Sequence, residues 1–429
     1  MKSIYSLIAC MALLLSSCDK EPKLITNQAD YNKYLEVVEN EMLQLAYEDL
    51  EFWEKKLEKD SNQFPYLVKA AASQTLIFNE TGNIEALIDA EKKLIEANTR
   101  TGFATAAYLR ALARNYIAQH RFKEALELLN TAEGNGEKLL ATQKMCFDVH
   151  LELGNTKEAK AYLDKIENYK DFDFLIRLSK WSDHEGDLDH AILYLKKALE
   201  IAEASNYKSL MQWSYTNLAD YYGHDGQIQN AYNHYLKALE LNPNDAYAKK
   251  GIAWIVYSHE RNPKEALRIL NAVSQSHNSP DYHLLKAEIA EYMGDLNAKE
   301  QYLKAYTNAV KRKDYGVMYN KYNALVYAED YNVPQEAAKI ALEEIKNRPT
   351  PQSYDLLAWA YYNHGNKSEA LNIMETHVVG KTFEPDVLFH LAKIYKDNGK
   401  LTEAKALKRE LLESTFELGP LMAKKIKNI

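Results

Sequence analysis

The stretch Asn217–Asp245, "NLADYYGHDGQIQNAYNHYLKALELNPND", determines the fold of this chain. Two runs rich in Ala and Tyr are separated at Gly226 and closed by Pro243. The apolar residues in each run recur at helical spacing, a Gly permits a tight turn, and a Pro cannot continue a helix. The stretch therefore predicts two antiparallel helices joined by a short turn.

Small residues in this region indicate where the two helices cross. Helices approach closely only where side chains are small, so Ala219 and Ala231 mark the crossing point. Tyr215, Tyr222 and Tyr235 would then fill the space around it. A single hairpin cannot bury its own apolar faces, so copies of it must stack.

The same spacing recurs along the chain. Strong copies are "LRALARNYIAQHRFKEALELLNTA" from residue 109, "YDLLAWAYYNHGNKSEALNIM" from 354 and "LFHLAKIYKDNGKLTEAKALKREL" from 388, with weaker copies between them. Counted from Gln212 in units of about 34 residues, the pattern resembles the tetratricopeptide repeat. The resemblance implies an all-α fold, a right-handed superhelical solenoid of roughly nine or ten stacked helix-turn-helix hairpins.

The organisation predicted from these patterns has five parts. They are a lipoprotein signal peptide at 1–17, a lipid-anchored linker at 18–27, an N-terminal helical cap at 28–60, the solenoid at 61–418 and a C-terminal tail at 419–429. Residues 31–59 of the cap have the pattern of one long amphipathic helix, and the tail breaks at Gly419-Pro420. Within the solenoid, Asn262-Pro263 lengthens one turn by about one residue.

The N-terminus predicts the compartment. "MKSIYSLIACMALLLSSC" has an early Lys, an apolar run too short to span a bilayer, and then small residues before Cys18. Leu15 to Cys18 resembles the lipobox of bacterial lipoproteins, which implies cleavage before Cys18 and its acylation. An ordinary signal peptide with a chance Cys is the alternative. Acylation would anchor the protein to the bacterial cell envelope, and we expect the outer membrane, on either its periplasmic or its surface face.

Composition argues against several other classes. The 429 residues are 46% hydrophobic and 27% charged with few Gly and Pro, which is typical of an ordered, helix-rich protein. The net charge is -8 and the basic residues are scattered, so nucleic acid is not expected as a partner. Of the three Cys, only Cys146 would remain unmodified in the mature chain, and we expect it to be a buried, inert thiol.

No sequence motif indicates catalysis. The chain has no phosphate-binding loop, no zinc-protease helix and no nucleophile elbow, so we expect a non-enzyme without a cofactor. His184, His224, His259 and His364 recur near turns. They could form a metal-binding edge, but neighbouring turns should be too far apart for bonds of about 2 Å, so solvated turn residues are preferred and no metal is expected.

The resemblance also implies where a partner would bind. In the repeat family, positions 2, 5, 9 and 12 of each first helix line a concave groove. Here those positions predict a partner-binding set, basic in the N-terminal half and aromatic in the C-terminal half: Arg110, Arg114, Lys144, Lys180, Trp254, Tyr257, Trp359 and Tyr362. Alternatively, Trp254 and Trp359 pack between repeats as core, and the basic residues are ordinary exposed side chains. The family's Lys and Asn set for a terminal carboxylate does not occur in phase.

Two functions follow from these observations. The first is a lipid-anchored envelope scaffold that binds a protein or peptide partner in the groove. The second is a glycan-binding or nutrient-binding lipoprotein beside an outer-membrane importer, since flat aromatic faces such as Trp254 and Trp359 suit sugar stacking.

Overall fold

The computed structural model describes residues 23–36 and 39–429, and within these ranges every regular element is a helix. The predicted signal peptide and the acylation of Cys18 lie outside the described residues. No helix in the described ranges has both the length and the apolar character needed to cross a membrane.

Ten helical hairpins follow one another through the described region from Pro65 to Glu413, which confirms the predicted all-α solenoid. Two helices precede them, α1 (Gln28–Leu35) and α2 (Glu41–Lys59), and one follows, α23 (Thr415–Lys427). The hairpins are formed by α3 (Pro65–Thr81) and α4 (Ile84–Arg100), α5 (Ala106–Ala118) and α6 (Phe122–Asn135), α7 (Leu139–Glu152) and α8 (Thr156–Lys165), α9 (Phe172–His184) and α10 (Leu188–Ala204), α11 (Lys208–His224) and α12 (Ile228–Leu241), α13 (Ala246–Trp254) and α14 (Pro263–Ser276), α15 (Asp281–Met293) and α16 (Leu296–Val310), α17 (Asn320–Glu329) and α18 (Pro334–Asn347), α19 (Pro351–Asn363) and α20 (Lys367–His377), α21 (Pro385–Asp397) and α22 (Leu401–Glu413).

The stretch that predicts the fold forms α11 and α12 as expected. Gly226 adopts a φ of 72° in the turn between them, which is the left-handed region that favours Gly. Ala219 and Ala231 are fully buried where the helices cross. The ring of Tyr235 lies against Gly251 of the next hairpin, where an added Cβ would be 2.2 Å from the ring. Tyr235 therefore packs between repeats as well as within its own.

The extra residue predicted near Asn262-Pro263 is accommodated inside a helix. After α13 the chain continues as a π-helical turn, Ile255–His259, before α14 begins at Pro263. A π turn absorbs one additional residue without breaking the helix. Trp254, just before this turn, and Ser258, within it, both donate hydrogen bonds to the C-terminal segment described below.

Successive turns of the superhelix touch each other. The Asn278 amide donates to the Thr81 carbonyl at 2.7 Å, Arg348 pairs with Glu152 at 3.3 Å, and an added Cβ on Gly186 would lie 2.8 Å from the Phe383 ring. Arg348 and Glu152 are 196 residues apart, which corresponds to about six repeats per turn. Successive turns of the superhelix are therefore in direct contact along its axis.

The N-terminal cap differs from its prediction as one long helix. Helix α1 ends at Leu35 with Glu36 in an extended conformation, and the Asn40 side chain caps α2 by accepting from the Leu43 amide. The two helices separate because they pack on different partners. Tyr31 of α1 is buried and donates to Glu265 of α14 at 2.8 Å, whereas α2 packs along α3.

The predicted tail is also helical. Helix α23 runs from Thr415 to Lys427 and contains a sharp kink at Gly419, where φ is 78° and ψ is 168°. The sequence break expected at Gly419-Pro420 is therefore present as a bend within the final helix. Ile426, beyond the bend, is fully buried.

Candidate partner-binding groove

A cavity of about 520 Å³ opens between the first helices of three consecutive hairpins, α5, α7 and α9. We call it the basic pocket, and the residues lining it are Arg114, Lys138, Leu139, Leu140, Ala141, Lys144, Met145, Asp173 and Arg177. Two of the predicted binding residues, Arg114 and Lys144, are therefore brought together. Leu139 and Leu140 are 40% and 47% exposed, which gives the pocket an apolar side.

Two of the four cations that line the basic pocket, Lys144 and Arg177, are held by acidic partners. Lys144 Nζ lies 2.8 Å from an oxygen of Asp171 and 2.9 Å from one of Asp173. Arg177 pairs with Asp148 at 2.6 Å, and its Nε donates to the Lys144 carbonyl. These contacts fix the directions of Lys144 and Arg177 and leave the pocket ordered.

Arg114, like Lys138 at the same pocket, differs from Lys144 and Arg177. It is exposed, and within the described ranges no hydrogen bond or ion pair holds its guanidinium. Partial desolvation lowers the pKa of Arg114, and the nearby Arg110 and Arg177 lower it further. A cation among like charges is stabilised by an incoming anion, so Arg114 is the group in this pocket best suited to meet one.

Arg110 and Lys180 do not line the basic pocket. The Arg110 side chain is 4% exposed and donates to the Glu137 carbonyl at 2.9 Å and to the Thr142 hydroxyl at 3.1 Å. The expectation that Arg110 contacts a partner is thus corrected, because its guanidinium is used to join two hairpins. Lys180 pairs with Glu152 at 2.8 Å.

The structure resolves the alternatives left open for the aromatic residues. Trp359 is 5% exposed, stacks on His390 at 4.0 Å and donates to Glu329 at 2.9 Å, so it is core. Tyr257 is fully buried and donates to Glu288 at 3.1 Å, so its predicted partner contact is corrected as well. Side chains of the neighbouring first helices cover these rings: Tyr292 lies on Tyr257, and His390 lies on Trp359.

Trp254 and Tyr362 are only partly covered. The Trp254 indole nitrogen donates to the Phe416 carbonyl at 3.1 Å, which places this residue beneath the C-terminal segment. Tyr362 stacks on Trp359 at 4.9 Å and donates to Asp397 at 2.9 Å. The aromatic half of the predicted groove is therefore occupied by contacts within the chain.

Several residues that line the basic pocket were not predicted from the sequence. Arg177 and Lys138 lie just outside the helix positions that the family pattern selects, and the exposed Leu139 and Leu140 begin α7. Arg177 lies 33 residues after Lys144, which is close to one repeat length. A prediction that used more positions of each first helix would therefore have included Arg177. The contact between Trp254 and Phe416 joins residues 162 apart and has no local sequence signal.

Neither the Cys nor the turn histidines form a reactive centre in the described part of the chain. Cys146 is fully buried, and burial raises the pKa of its thiol to about 12, which confirms the expectation of a buried thiol and keeps it protonated. Among residues 23–36 and 39–429, no group of three or more His, Cys, Asp or Glu side chains is arranged to hold a metal ion.

The stacked hairpins define the class of the fold as an α-helical repeat solenoid. Models of the tetratricopeptide repeat family match residues 173–205, 224–289 and 385–415. These segments of the chain are tetratricopeptide repeats, units whose stacking builds extended concave surfaces. A search of curated protein sequences finds no match to this chain.

Several solved structures are similar in architecture at low sequence identity. A tetratricopeptide repeat protein from Parabacteroides merdae is 17% identical, covers 60% of this chain and 97% of its own, and gives a TM-score of 0.35. YrrB, described as a TPR protein with an unusual peptide-binding site, is 18% identical, with coverages of 46% and 95% and a TM-score of 0.28. The human IFIT1 dimer with m7Gppp-AAAA is 16% identical, with coverages of 76% and 75% and a TM-score of 0.48.

Proposed function

We propose that this protein is a non-enzymatic, lipid-anchored scaffold of the bacterial cell envelope that binds a protein or peptide partner in its concave groove. The observation that carries the proposal is the basic pocket. It lies across three consecutive first helices and combines exposed leucines with a guanidinium, Arg114, that has no anionic partner in the described residues. Peptide-binding surfaces usually combine apolar side chains with charged groups that form oriented hydrogen bonds to the peptide.

The chemistry of the pocket selects the kind of segment it would hold. Lys144 and Arg177 already have carboxylate partners, whereas Arg114 is free to form a two-pronged contact with a carboxylate. Leu139 and Leu140 would bury an apolar side chain beside that contact. An extended segment with an acidic residue next to a bulky apolar one satisfies both requirements.

The N-terminal residues support an anchored arrangement. The amides of Ile25 and Thr26 donate to one oxygen of Glu260 at 2.8 Å and 2.6 Å, so the chain is held against the array from this point onward. Six residues lie between Cys18 and Ile25, so the seven steps of chain that join them span at most about 25 Å at full extension. If Cys18 carries acyl chains, the array would lie close to the membrane in a restricted orientation.

Two experiments test this proposal. Replacement of Cys18 by Ala should move the protein from the membrane fraction to the soluble fraction, and mass spectrometry of the mature N-terminus should detect acyl groups only in the wild type. Recovery of unacylated wild-type protein from the soluble fraction would contradict the anchor.

The groove is tested by affinity capture from crosslinked envelopes. Arg114→Glu should lose a specific set of captured proteins that the wild type retains. Arg409→Glu is the matched control, since Arg409 is exposed on α22 and the change in charge is the same. Identical captured sets for the two variants and the wild type would contradict binding at the basic pocket.

The alternative of a glycan-binding lipoprotein depended on open aromatic faces. Trp359 is buried against His390, and Trp254 contacts the C-terminal segment. These positions do not offer a stacking platform for a sugar, so the scaffold is the function that we propose.

A further inference from the structure

The C-terminal segment, residues 415–429, lies across the concave face of the array. Its contacts reach back to the first helices of earlier hairpins. The Phe416 ring lies where an added Cβ on Gly223 of α11 would meet it at 2.7 Å, and the Phe416 carbonyl accepts from Trp254 and Ser258. A helix that only covered the last hairpin would not reach residues so far back in the array, so this segment occupies the groove.

The surface beneath the segment is aromatic and acidic. An added Cβ on Gly419 would lie 2.9 Å from Glu288 and 3.0 Å from the Trp254 ring. Farther along the segment, Lys424 lies 4.2 Å from the ring centre of Tyr292, and Lys425 lies 3.8 Å from Glu329. The occupied surface thus recognises an apolar turn followed by clustered lysines, which is opposite in charge to the ligand expected at the basic pocket.

The segment has few polar contacts with the first helices, whereas Ile426 near its end is fully buried in the core of the last hairpins. It begins after α22 ends at Glu413 and is kinked at Gly419, so a bend lies at each end of the part that contacts the earlier hairpins. Its docking on the first helices of the middle hairpins includes two hydrogen bonds to one carbonyl and a single lysine-glutamate contact at 3.8 Å.

Glu417 makes the free energy of docking of the C-terminal segment less favourable. Burial raises the pKa of Glu417, His224 and Lys321 lower it, and the nearby carboxylates of Asp386 and Asp183 raise it again. The result is a pKa above the ordinary value, so the ionised carboxylate is destabilised where it lies.

We infer that residues 415–429 occupy a second binding surface and can be displaced from it. The partner that displaces them is a segment of the same chemistry, with apolar residues followed by clustered lysines. The Trp254, Glu288, Tyr292 and Glu329 side chains form that surface. The inference is independent of the proposed function, because it involves neither the basic pocket nor the lipid anchor. Release of the segment would open the aromatic half of the groove.

Hydrogen exchange on the intact mature chain tests the reversible docking. Amides of α23 should exchange at least tenfold faster than those of α13, on which the segment packs, through an opening that leaves the array folded. If α23 and α13 exchanged together, only on global unfolding, the segment would be a fixed cap and the inference would be overturned.

A labelled peptide of residues 415–429 tests the surface itself. It should bind the full-length Gly419→Ala variant at least tenfold more tightly than the wild type, because the added methyl group collides with Trp254 and Glu288 and releases the internal copy. Gly399→Ala is the matched control: its φ of 81° is similar, but an added Cβ meets nothing within 4 Å, so peptide binding should equal that of the wild type. Equal affinity for all three proteins, or equal binding of a scrambled peptide, would overturn the inference.

Discussion

The indole nitrogen of Trp254 donates a 3.1 Å hydrogen bond to the backbone carbonyl of Phe416, a residue 162 positions later in the chain. This contact joins the first helix of the sixth hairpin to the final helix across the concave face. The aromatic part of the groove is therefore occupied within the chain, while the basic pocket near the N-terminal end is open. The two parts differ in charge as well as in occupancy.

Replacement of Trp254 by Phe should loosen the final helix selectively. The substitution keeps an aromatic ring but removes the donor to the Phe416 carbonyl, which should cost about 1–2 kcal/mol of docking free energy. Amide exchange in α23 should accelerate about tenfold, while the melting temperature of the array changes little. Trp213→Phe is the control, because Trp213 is 41% exposed and lies on α11 away from this contact. Unchanged exchange in α23 would contradict this role for Trp254.

Glu288 should make stability depend on pH in a defined direction. Burial raises the pKa of Glu288 to about 7, although the Tyr257 hydrogen bond and Lys425 oppose the shift. The folded protein therefore binds more protons than the unfolded chain between about pH 4 and pH 7, and the free energy of unfolding falls as pH rises through that window. Denaturant titrations should show Glu288→Gln more stable than the wild type by about 3 kcal/mol at pH 8, with little difference at pH 4. An equal difference at both pH values would contradict the assignment.

Gly251 should not tolerate a side chain. An added Cβ would lie 2.2 Å from the Tyr235 ring, which is buried and hydrogen-bonded to Asp220, so the ring has no room to move. Gly251→Ala should destabilise the protein by about 1–3 kcal/mol, measured by urea titration. Gly134→Ala is the matched control in a helix, since nothing lies within 4 Å of the added Cβ and helix propensity should make that change neutral or stabilising. Equal effects of the two substitutions would be inconsistent with the packing described here.

The fold is predictable from the sequence because its determinants are local. Ala219 and Ala231 are small enough for the two helices to cross closely, and Gly226 forms the turn between the helices. Each hairpin repeats the same local pattern, so the sequence predicts the solenoid without any knowledge of distant contacts.

The occupancy of the groove is not predictable in the same way. Whether Tyr257 and Trp359 are open or covered depends on how the side chains of adjacent first helices pack on them, such as Tyr292 on Tyr257 and His390 on Trp359. The position of the final helix over Trp254 depends on contacts between residues far apart in sequence. The break before α2 has a similar origin, because Tyr31 packs against α14 while α2 packs against α3. Arg114 and Lys144 both line the basic pocket because they lie on the first helices of consecutive hairpins, although they are 30 residues apart and so occupy different positions of the repeat.

Site-specific photocrosslinking in living cells tests the scaffold most directly. A photoreactive amino acid replaces Leu140, which is 47% exposed in the basic pocket, or Leu412, which is 40% exposed on α22 outside it. The scaffold proposal predicts one or a few discrete protein adducts from position 140 that are absent from position 412 and are lost when Arg114→Glu is added. Adducts that are absent from position 140, or that are the same at both positions, would contradict a partner-binding site in the groove.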